Sequence, residues 1–314
     1  MDIESVCIIG GSGFVGGAIA EQATFRGLRV RVVTRSAPRA RRLLVLPTVE
    51  LMVANPNDER ELGRCLDDMD AAINLVGILA PSGRSSFRSA HVELPRKITH
   101  ACRNSGVRHL LHMSALAASP TGPSEYLRTK AEGEAEVRKA AGEPEWTIFR
   151  PSVIFGEGDS FLKMFATLVK LFPVIPLGGA QAKFQPVWVE DVARAFVDAL
   201  GSPRAFGQAY DLCGPRVYTL EALVRFVADT LDSKRAIVGL PPALASLQAF
   251  ALEMLPGKLM TRDNLRSMSV PNVCSGNFPD FGFEPAPLEA VAPAYLRGVD
   301  SRSRYDRYRH YAGR

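Results

Sequence analysis

Five glycines crowd into eight positions, "GGSGFVGG" at residues 10–17, directly after the apolar run Val6-Cys7-Ile8-Ile9. Glycine loses more conformational freedom on folding than any other residue, so a cluster this dense marks backbone that must bend sharply or be approached closely. Two spacings overlap. Gly11, Gly13 and Gly16 fit G-x-G-x-x-G, and Gly10, Gly13 and Gly16 fit G-x-x-G-x-x-G. A short apolar strand before the loop and a helical pattern after it form the context in which such a loop holds a dinucleotide. The first glycine permits the turn, the middle one lets a pyrophosphate approach, and the third lets helix and strand pack. Backbone N–H groups and the positive helix end favour the phosphates.

The rest of the first half repeats the rhythm. Strands are predicted over 5–9, 28–34, 49–54, 71–77, 108–114 and 146–150, with helices over 14–26, 38–46, 58–67, 86–104 and 124–141 between them. Strands alternating with helices predict an α/β fold, a doubly wound parallel sheet of Rossmann type. After residue 150 helical patterns (160–172, 190–200, 219–231, 243–255) outnumber strands. The expected organisation is a dinucleotide-binding domain over 1–150, a smaller and mostly helical C-terminal lobe over 151–300 interwoven with it, and a tail over 301–314.

Charge is concentrated in that tail. The whole chain carries +5, and "SRSRYDRYRHYAGR" holds five arginines against one aspartate, leaving a nearly neutral body. A nucleic-acid partner is therefore not expected. Tyr305, Tyr308 and Tyr311, interleaved with Arg304, Arg307 and Arg309, read as a loosely packed terminus, with contact with a partner protein or an anionic membrane surface as the alternatives. The apolar stretches carry charges or prolines and predict no membrane span. Five cysteines without C-x-x-C spacing predict reduced thiols in a cytoplasmic chain, with no metal site.

The end of the second strand bears on which dinucleotide is bound. NAD-binding folds place an acid there for the ribose 2′-OH. Here Thr34 stands near that place and Arg35 follows, which favours NADP(H) over NAD(H), since an arginine binds a 2′-phosphate that a carboxylate would repel. Arg39, Arg41 and Arg42 read as a solvated helix face.

"SEYLRTKAEGE" puts Tyr126 and Lys130 on one helix face, and Ser114 ends the strand pattern "HLLHMSAL". A neighbouring ammonium favours a phenolate, so the Tyr126 pKa is expected to fall, while Ser114 orients a carbonyl or alcohol. His91, His109 and His112 read as structural. Glu190 and Asp191 read as helix caps. Leu244, Leu247, Ala251, Met254 and Leu255 form a stripe expected to face the core, with a pocket or partner as alternatives.

The ordered set of G-x-x-G-x-x-G, serine-ending strand and Y-x-x-x-K resembles the short-chain dehydrogenase/reductase superfamily, and "RPSVIFGEG" resembles a stretch of its extended members in which Pro151 would border the nicotinamide. "INLVGIL", "HVELPRKI", "HMSALAA", "YLRTKAEGE", "IFRPSVIFGEGDSFLKMFA" and "FQPVWVEDVA" together resemble the NDUFA-nine family, the nucleotide-binding accessory subunit of respiratory complex I and its bacterial relatives. The resemblance assigns Gly10, Gly13, Phe14, Val15 and Gly16 to the phosphate loop, Arg35 to the 2′-phosphate, and Val76 and Gly77 to the cofactor edge. Ser114, Tyr126 and Lys130 fall on the catalytic positions. Ile9 stands where extended members often have Thr, and Asn55 where an Asp usually meets the adenine.

For function, the resemblance implies an NADP(H)-binding chain that supports a respiratory-chain or ubiquinone-related assembly, cytoplasmic and peripheral to the inner membrane. The retained Ser/Tyr/Lys set implies the alternative, an active oxidoreductase on a small carbonyl, quinone-type or sugar-nucleotide substrate.

Overall fold

The structure, a computed structural model, describes residues 1–298 apart from 84, 141, 143, 255–259, 277–278 and 281. The Tyr/Arg tail and Leu255 lie outside the described residues.

The strand before the glycine loop, β1 (Ser5–Ile9), is buried at all five positions, the mark of a central strand covered on both faces. Its side chains alternate. Val6 and Ile8 enter one core with Ile19, Val192 and Phe196, whereas Cys7 and Ile9 enter another with Leu62, Leu66, Leu94 and Ile98. Full burial of a residue such as Ile8 contributes about 1.5–3 kcal/mol.

Five further strands join it in parallel: β2 (Arg29–Thr34), β3 (Val49–Val53), β4 (Ala71–Asn74), β5 (His109–Met113) and β6 (Glu145–Pro151). A seventh, Gln208–Leu212, pairs in parallel with β6. The order is Gln208–Leu212, β6, β5, β4, β1, β2, β3, so the winding reverses between β1 and β4. Ligands of such sheets sit outside the strand C-termini at that reversal.

The covering helices of the first half are α1 (Phe14–Phe25), α2 (Ala37–Ala40), α3 (Glu59–Leu66), α4 (Leu94–Asn104) and α5 (Glu125–Arg138). Two predicted helices are divided. The 38–46 pattern becomes α2 followed by a 3-10 turn over Arg41–Val45, and 86–104 opens with a π-helical turn, Ser89–Glu93. Asp58 caps α3 by accepting from the Arg60 and Glu61 N–H groups, and Ser124 caps α5 through Leu127 N–H.

Beyond β6 come α6 (Phe161–Leu171), α7 (Val189–Ala199), α8 (Leu220–Thr230), α9 (Pro242–Glu253), α10 (Arg262–Ser267) and α11 (Leu288–Leu296). Helix α7 packs back onto the main sheet through Val192 and Phe196. A separate core joins α6, α8 and α11 through Leu162, Phe165, Val169, Leu223, Val227 and Leu288. The short strands Val174–Leu177 and Ala236–Gly239 pair in parallel beside it.

Three expectations are corrected here. Cys213 and Cys274 form a disulfide across 61 residues of sequence, while Cys7, Cys65 and Cys102 are free and buried; the fold brings together two thiols that no local spacing connects. The α9 stripe faces outward, because the helix seats on the lobe through Ala245 and Ala249 instead, leaving Leu247 62% and Met254 74% exposed. Glu190 and Asp191 stand in the first turn of α7 without capping it by hydrogen bonds. Glu190 accepts from Gln22 Nε2 at 3.3 Å and Asp191 from the Ala286 N–H at 2.7 Å.

Candidate active site

The glycine loop turns on Gly10, which has φ +86° and whose N–H donates to Val33 O. A Cβ at Gly16 would lie 2.5 Å from the Gly11 Cα, so helix α1 can pack on the loop only without a side chain there. A Cβ at Gly13 meets only Gly10 O within 4 Å, and so would project into the open space before the helix start. That is a cradle for a group that must touch backbone N–H donors, and it suits a pyrophosphate. Phe14 and Val15 open α1, Val15 turned into the core and Phe14 onto a cavity wall.

The other candidate cofactor and catalytic residues lie at or beside the same C-terminal edge of the sheet. Thr34 ends β2 with its hydroxyl 2.9 Å from that of Ser12, and Arg35 follows, exposed and with no ion pair among the described residues. Asn55, after β3, receives its own loop, its Oδ1 accepting from Asn57 N–H, while its backbone N–H donates to Glu61 Oε2. Val76 donates its N–H to Asn74 Oδ1, and the Val76 side chain lies where a Cβ on Gly10 would meet it at 3.3 Å. A Cβ at Gly77 would come within 3.1 Å of Lys130 Nζ. Ser114 follows β5, and Pro151 closes β6.

Arg42 is exposed, as expected of a solvated face, and also makes one specific contact. Its Nη2 donates to Gly13 O at 3.0 Å, because the 3-10 turn after α2 folds over the start of α1.

Helix α5 presents Tyr126, Lys130 and Glu134 one turn apart. The Lys130 ammonium is buried and donates to Met113 O at 3.1 Å. Burial pulls its pKa down to about 8, against the opposing pull of Glu134. Glu134 is itself buried, which disfavours its charge, but Arg150 donates to both its oxygens at 2.7 and 2.5 Å. With help from Ser114 and Arg138 this holds the carboxyl below its usual range. Ser114 Oγ is buried and has no hydrogen-bond partner of good geometry.

The Tyr126 pKa moves opposite to the expected direction. Burial pushes the phenol up to about 12, and the ammonium that was expected to lower it is engaged with the Met113 carbonyl. At neutral pH the side chain holds its proton.

His91 completes this wall. Its Nε2 accepts from the Ile78 N–H and its Nδ1 bonds the Thr129 hydroxyl, with the ring edge-on to Tyr126 at 5.4 Å. It is thus a satisfied histidine, packed against the site.

Ser114, Tyr126, Lys130, Gly77, Pro151 and Phe14 all line one cavity of about 770 Å³. Away from the sheet its walls are mainly apolar, formed by Phe161, Met164, Phe165, Leu168, Leu177 and Met268 among others, with polar groups from Asp159, Gln248 and Asn264. Thr34, Arg35 and Asn55 do not border it; they stand at the ends of the neighbouring strands β2 and β3. The i, i+4, i+8 spacing of Tyr126, Lys130 and Glu134 was a readable signal for Glu134, which sequence reasoning passed over. Among the described residues no cluster of side chains is arranged to hold a metal ion, and no helix is long and apolar enough to cross a membrane.

Known proteins share both the sequence and the architecture. The chain is 30% identical over 308 residues to the mitochondrial NADH dehydrogenase (ubiquinone) 1 alpha subcomplex subunit 9 of Arabidopsis thaliana, covering 92% of this chain and 76% of that one. It is 28% identical over 243 residues to a ceramide reductase of Caulobacter vibrioides, covering 75% and 73%. The triphenylmethane reductase of a Citrobacter species superposes with a TM-score of 0.74 over 93% of this chain and 99% of that one, at 14% identity, a likeness of fold. The model of the NAD dependent epimerase/dehydratase family matches residues 6–213. The chain belongs to that family, as an atypical short-chain dehydrogenase/reductase resembling subunit 9 of the complex I alpha subcomplex.

Proposed function

We propose that this protein is an NADP(H)-dependent oxidoreductase that reduces a carbonyl on an apolar substrate. The observation that carries the reading is the continuity of one cavity from Ser114, Tyr126 and Lys130 to a long apolar pocket in the lobe. A chain that only held a nucleotide would need no such space beyond it.

Gly10, Gly13, Phe14, Val15 and Gly16 would hold the pyrophosphate, Val76 and Gly77 the edge of the cofactor, Asn55 the adenine, and Pro151 would border the nicotinamide. The reduced cofactor supplies hydride to the carbonyl carbon. Tyr126, protonated at neutral pH, donates its proton to the carbonyl oxygen. The Ser114 hydroxyl, which leans toward Glu134 without a hydrogen bond of good geometry, would donate to that same oxygen and orient it. Lys130, whose ammonium donates to Met113 O in this structure, would supply the positive charge that stabilises the phenolate left after transfer. Tyr126→Phe is expected to lower turnover about a hundredfold with little change in nucleotide affinity. The measurement is NADPH oxidation with long-chain aldehydes, ketones and isoprenoid quinones. Unchanged turnover in Tyr126→Phe, or no oxidation with any of them, would count against the reading.

Preference for NADP(H) rests on Thr34 in place of an acid and on Arg35 beside it, which is exposed and has no ion pair among the described residues. Arg35→Asp should weaken NADPH binding roughly tenfold or more while changing NADH far less. Equal weakening of both removes Arg35 from the 2′-phosphate.

The complex I relatives favour a second reading, in which the nucleotide is a structural element of a respiratory-chain or quinone-related assembly. Under it, nucleotide identified by mass spectrometry co-purifies without exchanging, and Tyr126→Phe has no consequence.

A further inference from the structure

Eight of the fifteen large apolar side chains exposed among the described residues come from two short stretches, 171–174 and 238–254. The stretches are neighbours. Val174 begins the strand that pairs with Ala236–Gly239, and Val238 sits opposite Pro176 in that pair. Helix α9 follows directly and is pinned to the same strand, Gln248 Nε2 donating to Pro176 O and its Oε1 accepting from the Gly178 N–H. Leu171, Phe172, Val174, Leu247 and Met254 are thus exposed on neighbouring segments of the lobe. Phe172 and Val174 also line the cavity, as does Leu252 of α9, so these segments border it.

The charges around this rim are mainly positive. Residues 161–177 and 232–252 carry Lys163, Lys170, Lys234 and Arg235 against one carboxylate, Asp232. The first carboxylate after them, Glu253, is taken by Arg262 at 3.0 Å. A two-fold pairing of this face with a second copy would bring like charges together. A surface of anionic headgroups over hydrocarbon is complementary to both the cations and the apolar side chains.

We infer that this rim, the end of α6 with the strand Val174–Leu177 and the outer face of α9, docks on the surface of an anionic phospholipid bilayer and opens the cavity toward the acyl region. The inference rests on the reading of the cavity as a site for an apolar substrate, which would then enter from the bilayer without crossing water. The docking does not require the basic tail.

Flotation of the full-length protein with phosphatidylcholine vesicles, with and without phosphatidylglycerol, tests it. Binding to the anionic vesicles is expected to be about tenfold tighter or more. Leu171→Glu with Leu247→Glu should weaken it at least about tenfold. Both side chains are exposed, at 68% and 62%, so the fold tolerates the change, and retained NADPH binding checks that it has. No binding to anionic vesicles overturns the proposal. So does binding that the double variant retains, which would place it elsewhere, in the tail for instance. A double variant that loses vesicle binding only because a wild-type dimer becomes monomeric, read by light scattering, assigns the face to a second copy and also overturns it. Rim-dependent binding in a protein that turns over no carbonyl upholds the docking and overturns the oxidoreductase reading alone. Turnover of detergent-presented substrate without vesicle binding does the reverse.

Discussion

As pH falls from about 7 to about 4.5, the folded chain is expected to lose on the order of 2 kcal/mol of stability for each of three histidines. Burial lowers His91 and His112 to about 3 and His109 to about 4, with the Lys130 charge adding to the first two. The hydrogen bonds show why the neutral ring is required. His91 Nε2 accepts from the Ile78 N–H, His109 Nδ1 accepts from the Gly201 N–H, and His112 Nδ1 faces the Asn74 amide nitrogen. A second ring proton would point at a hydrogen already there. The folded pKa values lie below the ordinary 6.5, so the unfolded chain binds more protons throughout the interval between them. Stability is therefore complete above about 6.5 and declines as pH falls toward the folded values. Three such groups together match much of the net stability of an ordinary domain, and unfolding by about pH 4.5 is expected. Urea unfolding at a series of pH values measures the slope. His109→Gln, away from the cavity, should reduce that slope by roughly a third. A flat profile between pH 7 and 5, or a slope the variant leaves unchanged, would refute the assignment.

The same histidines mark how far the sequence could be read. The central strands β1, β4 and β5 were legible because burial on both faces imposes a mostly apolar run, and the glycine spacing located the loop before α1. The last strand, Gln208–Leu212, was not, since Gln208, Tyr210 and Asp211 interrupt its apolar run. Motif and strand end coincide in this fold, so the sequence brought Ser114, Tyr126, Lys130, Gly77 and Pro151 together, and these line one cavity. Their electrostatics were not legible. Y-x-x-x-K spacing says that an ammonium stands near a phenol, but not that Met113 O engages that ammonium or that burial outweighs it. The disulfide, the Arg42 contact and the apolar cavity likewise depend on which distant segments meet. In α9 the residues that pack are the small ones, which inverted the reading of its leucine stripe. Small residues bury well against a strand whose backbone is near, and large ones then face out.

The alanine variant of Gly133 brings out a further constraint on the site, and it is expected to be destabilised by about 3 kcal/mol or more. Two effects compete. Alanine favours a helix interior over glycine by about 1 kcal/mol, and Gly133 lies within α5. A Cβ there, however, would lie 1.9 Å from the His91 carbonyl oxygen, a backbone atom that no rotamer change can move. The steric term wins, and relief requires α5 to separate from the π-helical turn Ser89–Glu93. That separation breaks the His91–Thr129 hydrogen bond and shifts Tyr126 and Lys130 relative to Gly77, since all three are registered by this contact. Gly63 supplies the control. It lies within α3 with nothing within 4 Å of its would-be Cβ, so Gly63→Ala keeps the helix gain without the clash and should stabilise by about 0.5–1 kcal/mol. Chemical unfolding of the two variants should therefore move in opposite directions, and NADPH binding should weaken only in Gly133→Ala. A Gly133→Ala protein as stable as the parent would mean that α5 and the His91 turn are not in contact as described, and the placement of Tyr126 and Lys130 against Gly77 would fail with it.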